Sequence, residues 1–137
     1  MNRSASAVWT GSIKEGGGSF SVLSGAIKDL KYSFKTRFEG APGSNPEELI
    51  AAAHASCFSM ALGAQLGDRG ITPESIETTC DITFENLTLT KSALTTKVTA
   101  RGVDKAKIEE AAAAAKAGCP ISKVLKLDVA LELKIVS

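Results

Sequence analysis

Residues 45–67 read NPEELIAAAHASCFSMALGAQLG, and the local signals in this stretch point to one long helix. Asn45 can accept a hydrogen bond from an unpaired first-turn amide. Pro46 stands where its missing N–H costs nothing, and Glu47 and Glu48 face the positive end of the helix dipole. Glu48 follows Asn45 at the spacing of a capping box. Apolar side chains then cover nearly every side of the helix, up to the stop signals at Gly67 and Gly70. Such a helix must be covered all round.

The segments on either side say what covers it. Before the helix, Gly16-Gly17-Gly18 is flanked by β-favouring residues and predicts a hairpin. From Tyr32 the chain alternates, with Tyr32, Phe34 and Phe38 on one face and Ser33, Lys35 and Arg37 on the other, so a strand is expected there with Arg37 pointing away from the aromatic rings. Ala41-Pro42-Gly43-Ser44 ends that strand. After the helix, three further alternating phases read as half-buried strands: Ile76, Cys80, Ile82 and Phe84; Leu94, Val98 and Ala100; and Leu127, Val129, Leu131, Leu133 and Ile135. Between the last two lies VDKAKIEEAAAAAKAG, where Asp104 can cap, alanine supplies helix propensity and Gly118 can end the helix. The order argues an α+β fold with antiparallel sheet, built as a single domain over residues 1–137. About six strands cover only one side of the long helix, and a bare apolar flank is an association site. The expectation is a two-fold homodimer with these helices at its centre.

Composition narrows the function. The 137 residues carry 16 basic and 15 acidic side chains, a formal charge of +1, with no basic block. Nothing there attracts phosphate backbones or anionic lipid, so neither nucleic acid nor a membrane surface is an expected partner. A chain of this size buries enough surface to fold without disulfide staples or a structural metal. The start, MNRSASAVWTGS, lacks the apolar stretch of a secretory signal, and no apolar run reads as approaching the roughly 20 residues of a membrane span. A cytoplasmic location is expected, where Cys57, Cys80 and Cys119 would stay reduced.

The three cysteines differ in setting. Cys80 keeps step with its apolar strand neighbours and reads as a small buried hydrophobe. Cys57 lies mid-helix, where simple packing is the plain alternative, with His54 on the same face. Gly118 ends one helix and Pro120 can open another, which puts Cys119 near an N-cap, where dipole and free amides favour a thiolate. Position alone makes Cys119 the more acidic thiol. A lone histidine with these cysteines fits neither a Cys-His hydrolase nor the common zinc spacings. An oxidant-reducing site, in contrast, needs a thiolate, a cation to steady it, a carboxylate to orient the cation and a second thiol to trap the sulfenic acid. Arg37, Glu47, Cys57 and Cys119 supply that set. Along an unbroken helix Glu47 and Cys57 are separated by ~15 Å, so both can touch one arginine only if the helix bends or a second chain contributes. A composite site at a dimer interface is therefore expected.

The segments TRFEGAPGSNPEELIAAAHASCFSMAL (36–62) and AGCPISKVL (117–125) resemble the OsmC branch of the OsmC/Ohr hydroperoxide peroxidases. The resemblance runs over essentially the whole chain. It implies antiparallel sheets wrapped around long central helices in an intertwined homodimer, with two active sites at the interface. It implies a thiol peroxidase acting on organic hydroperoxides and less efficiently on hydrogen peroxide. Cys57 takes the role of the peroxidatic cysteine and Cys119 that of the resolving cysteine, the reverse of the positional preference, with Arg37 and Glu47 as the supporting ion pair. The implied cycle passes through a Cys57 sulfenic acid and a Cys57–Cys119 disulfide, and an external dithiol, for which the resemblance suggests a dihydrolipoyl group, restores both thiols without metal, flavin or haem. Phe34, Phe38, Phe58 and Met60 could line a pocket for an alkyl peroxide or simply pack the core. Two other functions use the same residues: a general dithiol-disulfide oxidoreductase, and a non-enzymatic stress or ligand-binding dimer. The absence of a Cys-x-x-Cys pair weighs against the first.

Overall fold

A computed structural model describes residues 1–137. In chain order the elements are β1 (Ala5–Thr10), β2 (Gly17–Val22), β3 (Leu30–Tyr32), α1 (Phe34–Phe38), α2 (Pro46–Asp68), β4 (Ser75–Glu85), β5 (Thr88–Thr99), α3 (Lys105–Gly118), α4 (Pro120–Val124) and β6 (Asp128–Val136). This is the α+β class, and contacts gather the chain into two compact units, Met1–Leu49 and Ile50–Ser137.

In the first unit β1, β2 and β3 form an antiparallel sheet in that order. The expected hairpin is present, but its glycines act differently from the reading given above. The left-handed turn position is Gly11, at φ 89°, while Gly17 and Gly18 lie inside β2. Gly18 pairs with Tyr32, and a Cβ on Gly18 would stand 2.6 Å from the Tyr32 ring. Glycine is needed there for close approach, which lets the Tyr32 ring sit between Trp9 and Phe20.

The strand expected from Tyr32 stops at that residue. Ser33 caps a one-turn helix, α1, by accepting from the Thr36 amide, and Thr36 Oγ1 accepts from the Ser33 amide in return. This reciprocal cap outweighs a seven-residue alternation that either structure can accommodate. The helix stacks Phe34 on Phe38, with ring centroids 4.9 Å apart, and lays the Arg37 guanidinium over the Phe38 ring at 5.2 Å. Arg37 therefore faces an aromatic neighbour, contrary to the strand reading.

In the second unit β4 and β5 form an antiparallel hairpin closed by Asn86 and Leu87, both at positive φ as a tight two-residue turn requires. Strand β6 pairs with β5 in parallel, from Lys91↔Asp128 to Thr99↔Val136. The expected all-antiparallel pairing is thus corrected for this sheet. The α3–α4 connection is a crossover long enough to carry the chain back to the same end of the sheet. Asp104 caps α3 by accepting from the Ala106 amide, and its alanines pack as expected, with Ala111, Ala112 and Ala115 buried. The core joins Phe58, Leu62 and Leu66 of α2 to Leu94 and Val98 of β5 and Ile108 of α3.

Helix α2 is capped as its sequence indicates, the Glu48 amide donating to Asn45 Oδ1 at 2.8 Å. The Glu48 carboxylate does not complete the box; it accepts from Ser44 Oγ instead. Only a stripe at every fourth residue, His54, Phe58, Leu62 and Leu66, is buried. By length and composition α2 would pass for a membrane span, with 22% of its apolar window buried, so the reading that no apolar run approaches that length was too strong. His54 argues against lipid on the buried face, because it is wholly enclosed there by polar partners from β5 and α4. Within one chain the opposite flank, including Met60, lies bare.

Candidate active site

The first unit supplies an ion pair. Helix α1 ends at Arg37–Phe38 and α2 begins at Pro46, and the Asn45 side-chain amide holds the two together by donating to the Thr36 carbonyl. Across that junction Arg37 Nε donates to both Glu47 carboxylate oxygens, at 3.0 and 3.2 Å, and a terminal guanidinium nitrogen donates to Oε1 at 2.7 Å. This forked contact fixes the plane of the guanidinium, which a lysine ammonium could not do. Beside it, Trp9, Ile13, Tyr32, Ser33, Phe34, Arg37 and Phe38 line a cleft of about 180 Å³. Phe34 and Phe38 thus border the arginine, whereas Phe58 is buried in the second unit's core.

The second unit supplies a thiol pair. Cys57 projects from mid-α2, and Cys119 is at once the residue that closes α3 and the residue that opens α4, with Pro120 next. Although 62 positions apart, the two sulfurs lie 3.3 Å from each other. A disulfide bond is about 2.05 Å long, so closure requires an approach of little more than about 1 Å. Both cysteines are free. Cys119 is fully buried, while Cys57 keeps partial access to solvent.

The two thiols are not equivalent electrostatically. Burial pushes the Cys57 thiol up; the Ile121 amide counters this, and the adjacent Cys119 adds to it through its hydrogen bond and its charge. Burial also works against ionising Cys119, but the Ser122 amide and hydroxyl, the Cys57 thiol and the Ile121 amide together hold it below the ordinary thiol value. Either sulfur can carry the shared proton. The lowered value agrees with the more acidic thiol expected from sequence, although the Cys119 side chain makes no cap hydrogen bond to α4.

His54 does not turn to Cys57, its neighbour on the helix face. Its Nδ1 lies 2.6 Å from Ser92 Oγ and its Nε2 2.6 Å from Ser122 Oγ. Cys80 joins the same group at 3.1 Å from Ser92 Oγ. The sequence reading missed Ser92 and Ser122; the one signal available was that Ser122 stands at the third position of the helix opened by Cys119, where a hydroxyl can fold back on the cap. No group of three or more His, Cys, Asp or Glu side chains is arranged to hold a metal ion.

Residues 38–134 match the family described as OsmC-like protein. The chain belongs to the OsmC-like family. It is 45% identical to Peroxiredoxin OsmC of Escherichia coli K12 over all of this chain and 99% of that one. It is 37% identical to the organic hydroperoxide resistance protein OhrB of Bacillus subtilis over 70% of this chain and 74% of that one. An OsmC-like protein from Mycoplasma pneumoniae has the same fold, with a TM-score of 0.77, 13% identity, and coverage of 100% of this chain and 99% of that structure. These OsmC-like proteins agree with the α+β architecture seen here.

Proposed function

We propose that this OsmC-like chain is a thiol-dependent peroxidase that reduces organic hydroperoxides through a Cys57 sulfenic acid and a Cys57–Cys119 disulfide. A peroxidase role is supported by the 45% identity to Peroxiredoxin OsmC along the full length. The observation that carries the finer reading is the 3.3 Å separation of two free sulfurs on α2 and at the start of α4.

Cys57 gives its proton to Cys119 across the 3.3 Å contact and attacks the distal oxygen of ROOH as the thiolate; the S–O bond forms, the O–O bond breaks, and RO⁻ leaves and takes that proton as the alcohol. Arg37 steadies the charge on the departing oxygen and Glu47 fixes the guanidinium. The Cys119 thiolate then attacks the Cys57 sulfenic sulfur; the S–S bond forms, the S–O bond breaks, and hydroxide leaves as water after protonation. An external dithiol reduces the disulfide by two exchanges and ends as a disulfide itself. The lower ionisation point of Cys119 would favour it as the attacking thiol, but its sulfur is sealed from solvent and that of Cys57 is not. Peroxide thus meets Cys57 first. Cys119, buried beside it and the more acidic of the two, is suited to the second step.

Helix α2 is continuous from Pro46 to Asp68, so Glu47 and Cys57 are separated by ~15 Å along its axis. In this reading two copies associate through the bare flanks of α2, and Arg37–Glu47 of one serves Cys57 of its partner. The aromatic cleft beside Arg37 would take the organic part of the peroxide, and the family chemistry fits a cytoplasmic protein fed by a dithiol. The test is peroxide consumption with dithiothreitol, comparing cumene hydroperoxide with hydrogen peroxide. Wild type turns over with preference for the organic substrate, Cys57→Ser does not, and Cys119→Ser oxidises once and resolves poorly. Full turnover by Cys57→Ser refutes the assignment.

A further inference from the structure

We propose that the His54–Ser122 hydrogen bond is a register pin, which holds the start of α4 against α2 in the alignment that brings Cys119 to Cys57, so that His54 and Ser122 are positioning residues for disulfide closure. The use of that closure in a catalytic cycle rests on the peroxidase reading; the alignment itself does not.

Two contacts join the same pair of segments. Cys57 of α2 meets Cys119 with the sulfurs 3.3 Å apart, and His54 of α2 meets Ser122 of α4 with Nε2 2.6 Å from Oγ. His54 stands three residues before Cys57, and Ser122 three residues after Cys119. The segments therefore cross in opposite directions, with two rungs about one helical turn apart on each. A turn advances about 5.4 Å, so a slip of α4 by one turn breaks both rungs together. Where one rung holds, the other is in place.

The imidazole is suited to be the fixed point. It is wholly enclosed, and its Nδ1 lies 2.6 Å from Ser92 Oγ on β5, the central strand of the second sheet. A ring bonded at both nitrogens cannot turn without losing a partner, so Ser122 is referred to the sheet as well as to α2. Each serine hydroxyl can donate or accept, and both bonds form with the hydrogen on either ring nitrogen. The pin thus requires no particular tautomer.

Helix α4 needs such a hold. It is five residues long with none fully buried, and Val124 is 67% exposed, so apolar packing anchors it weakly. The elements on either side are secured, α3 by Ile108, Ala111, Ala112 and Ala115 in the core and β6 by pairing with β5. Without the Ser122 bond the reduced segment samples positions in which Cys119 is out of reach, and closing the disulfide must restore the alignment that the pin otherwise supplies. One net hydrogen bond corresponds to about fivefold in that equilibrium.

The test is exchange with dithiothreitol in a Cys80→Ser background, where Cys57 and Cys119 are the only thiols. The Cys57–Cys119 bond forms as the ring disulfide of the oxidised reagent breaks, and both protein protons pass to the reagent's thiols. Alkylation of the remaining protein thiols, counted by mass, gives the equilibrium constant for closure. Ser122→Ala is expected to lower it about fivefold, whereas Ser122→Thr, which keeps the hydroxyl, stays near the parent. His54→Asn, whose amide stands in for Nδ1 alone, falls in step with Ser122→Ala; His54→Gln, whose amide stands in for Nε2, does not. Ile108→Val trims the core at another position, lowers Tm and leaves the constant unmoved. An unchanged constant in Ser122→Ala, or in His54→Asn should Ser122→Ala fail to fold, overturns the proposal, as does an equal fall in Ser122→Thr or Ile108→Val. No peroxide enters this exchange. A wild type that closes its disulfide here yet never consumes cumene hydroperoxide defeats the peroxidase reading and leaves the pin standing, while one that turns over peroxide with a constant indifferent to Ser122→Ala does the reverse.

Discussion

Replacing Arg37 by lysine keeps the charge and removes the fork, which separates the stabilising part of the ion pair from its chemical part. The guanidinium makes three contacts to Glu47, at 3.0, 3.2 and 2.7 Å. The arginine side chain is 36% exposed and that of Glu47 13%, so solvent screens the pair and its share of folding stability is at most about 1 kcal/mol. For a domain of this size that is no more than about 4 °C in Tm. A preorganised donor aimed at a departing oxygen is worth far more, about 10²–10³ in kcat. Because lysine retains a cation, the expected loss in Arg37→Lys is on the order of 100-fold in peroxide turnover. Thermal unfolding and steady-state turnover of cumene hydroperoxide, measured on the same preparation, read the two effects. A folded variant that loses less than about threefold in turnover contradicts the role given to the guanidinium, since the planar grip on Glu47 would then be irrelevant to the sulfur chemistry.

Burial holds the folded-state pKa of His54 below the usual 6.5, so as pH falls through that value the unfolded chain takes up a proton that the folded chain refuses. Stability is therefore expected to fall below about pH 6.5 and to keep falling until the folded pKa is reached. Urea midpoints across that range should drop for wild type and stay flatter for His54→Gln; parallel slopes contradict the burial argument. Met60 is 81% exposed in a single chain, midway along the bare flank of α2. Light scattering should give wild type twice the 14.2 kDa chain mass, and Met60→Asp should shift the population toward the single chain. A monomeric wild type would remove the partner that the composite site requires.

Much of this was legible in the amino-acid sequence, where local chemistry decides the outcome. Asn45-Pro46 opens α2, Asp104 opens α3, and the Gly-Cys-Pro run at 118–120 marks both a helix stop and a helix start. Cys119 as the more acidic thiol followed from that run. Readings failed where two structures share one pattern or where partners come from distant segments. Residues 32–38 alternate like a strand, yet Ser33 and Thr36 close a reciprocal cap, a signal that was present and outweighed by the hydrophobic period. The parallel return of β6 depends on how far the α3–α4 crossover carries the chain, which alternation cannot report. His54 was paired with Cys57 by helical spacing, whereas its partners Ser92 and Ser122 lie on β5 and α4, where no spacing rule reaches.

The parallel pairing of β5 with β6 has a consequence for how the redox centre comes into being. Cys119 rides on a connection anchored at both ends to the same sheet, and its far anchor, β6, bears no reactive side chain. The two sulfurs therefore come from segments 62 positions apart, and the segment that carries Cys119 gains its second anchor only when β6 pairs with β5.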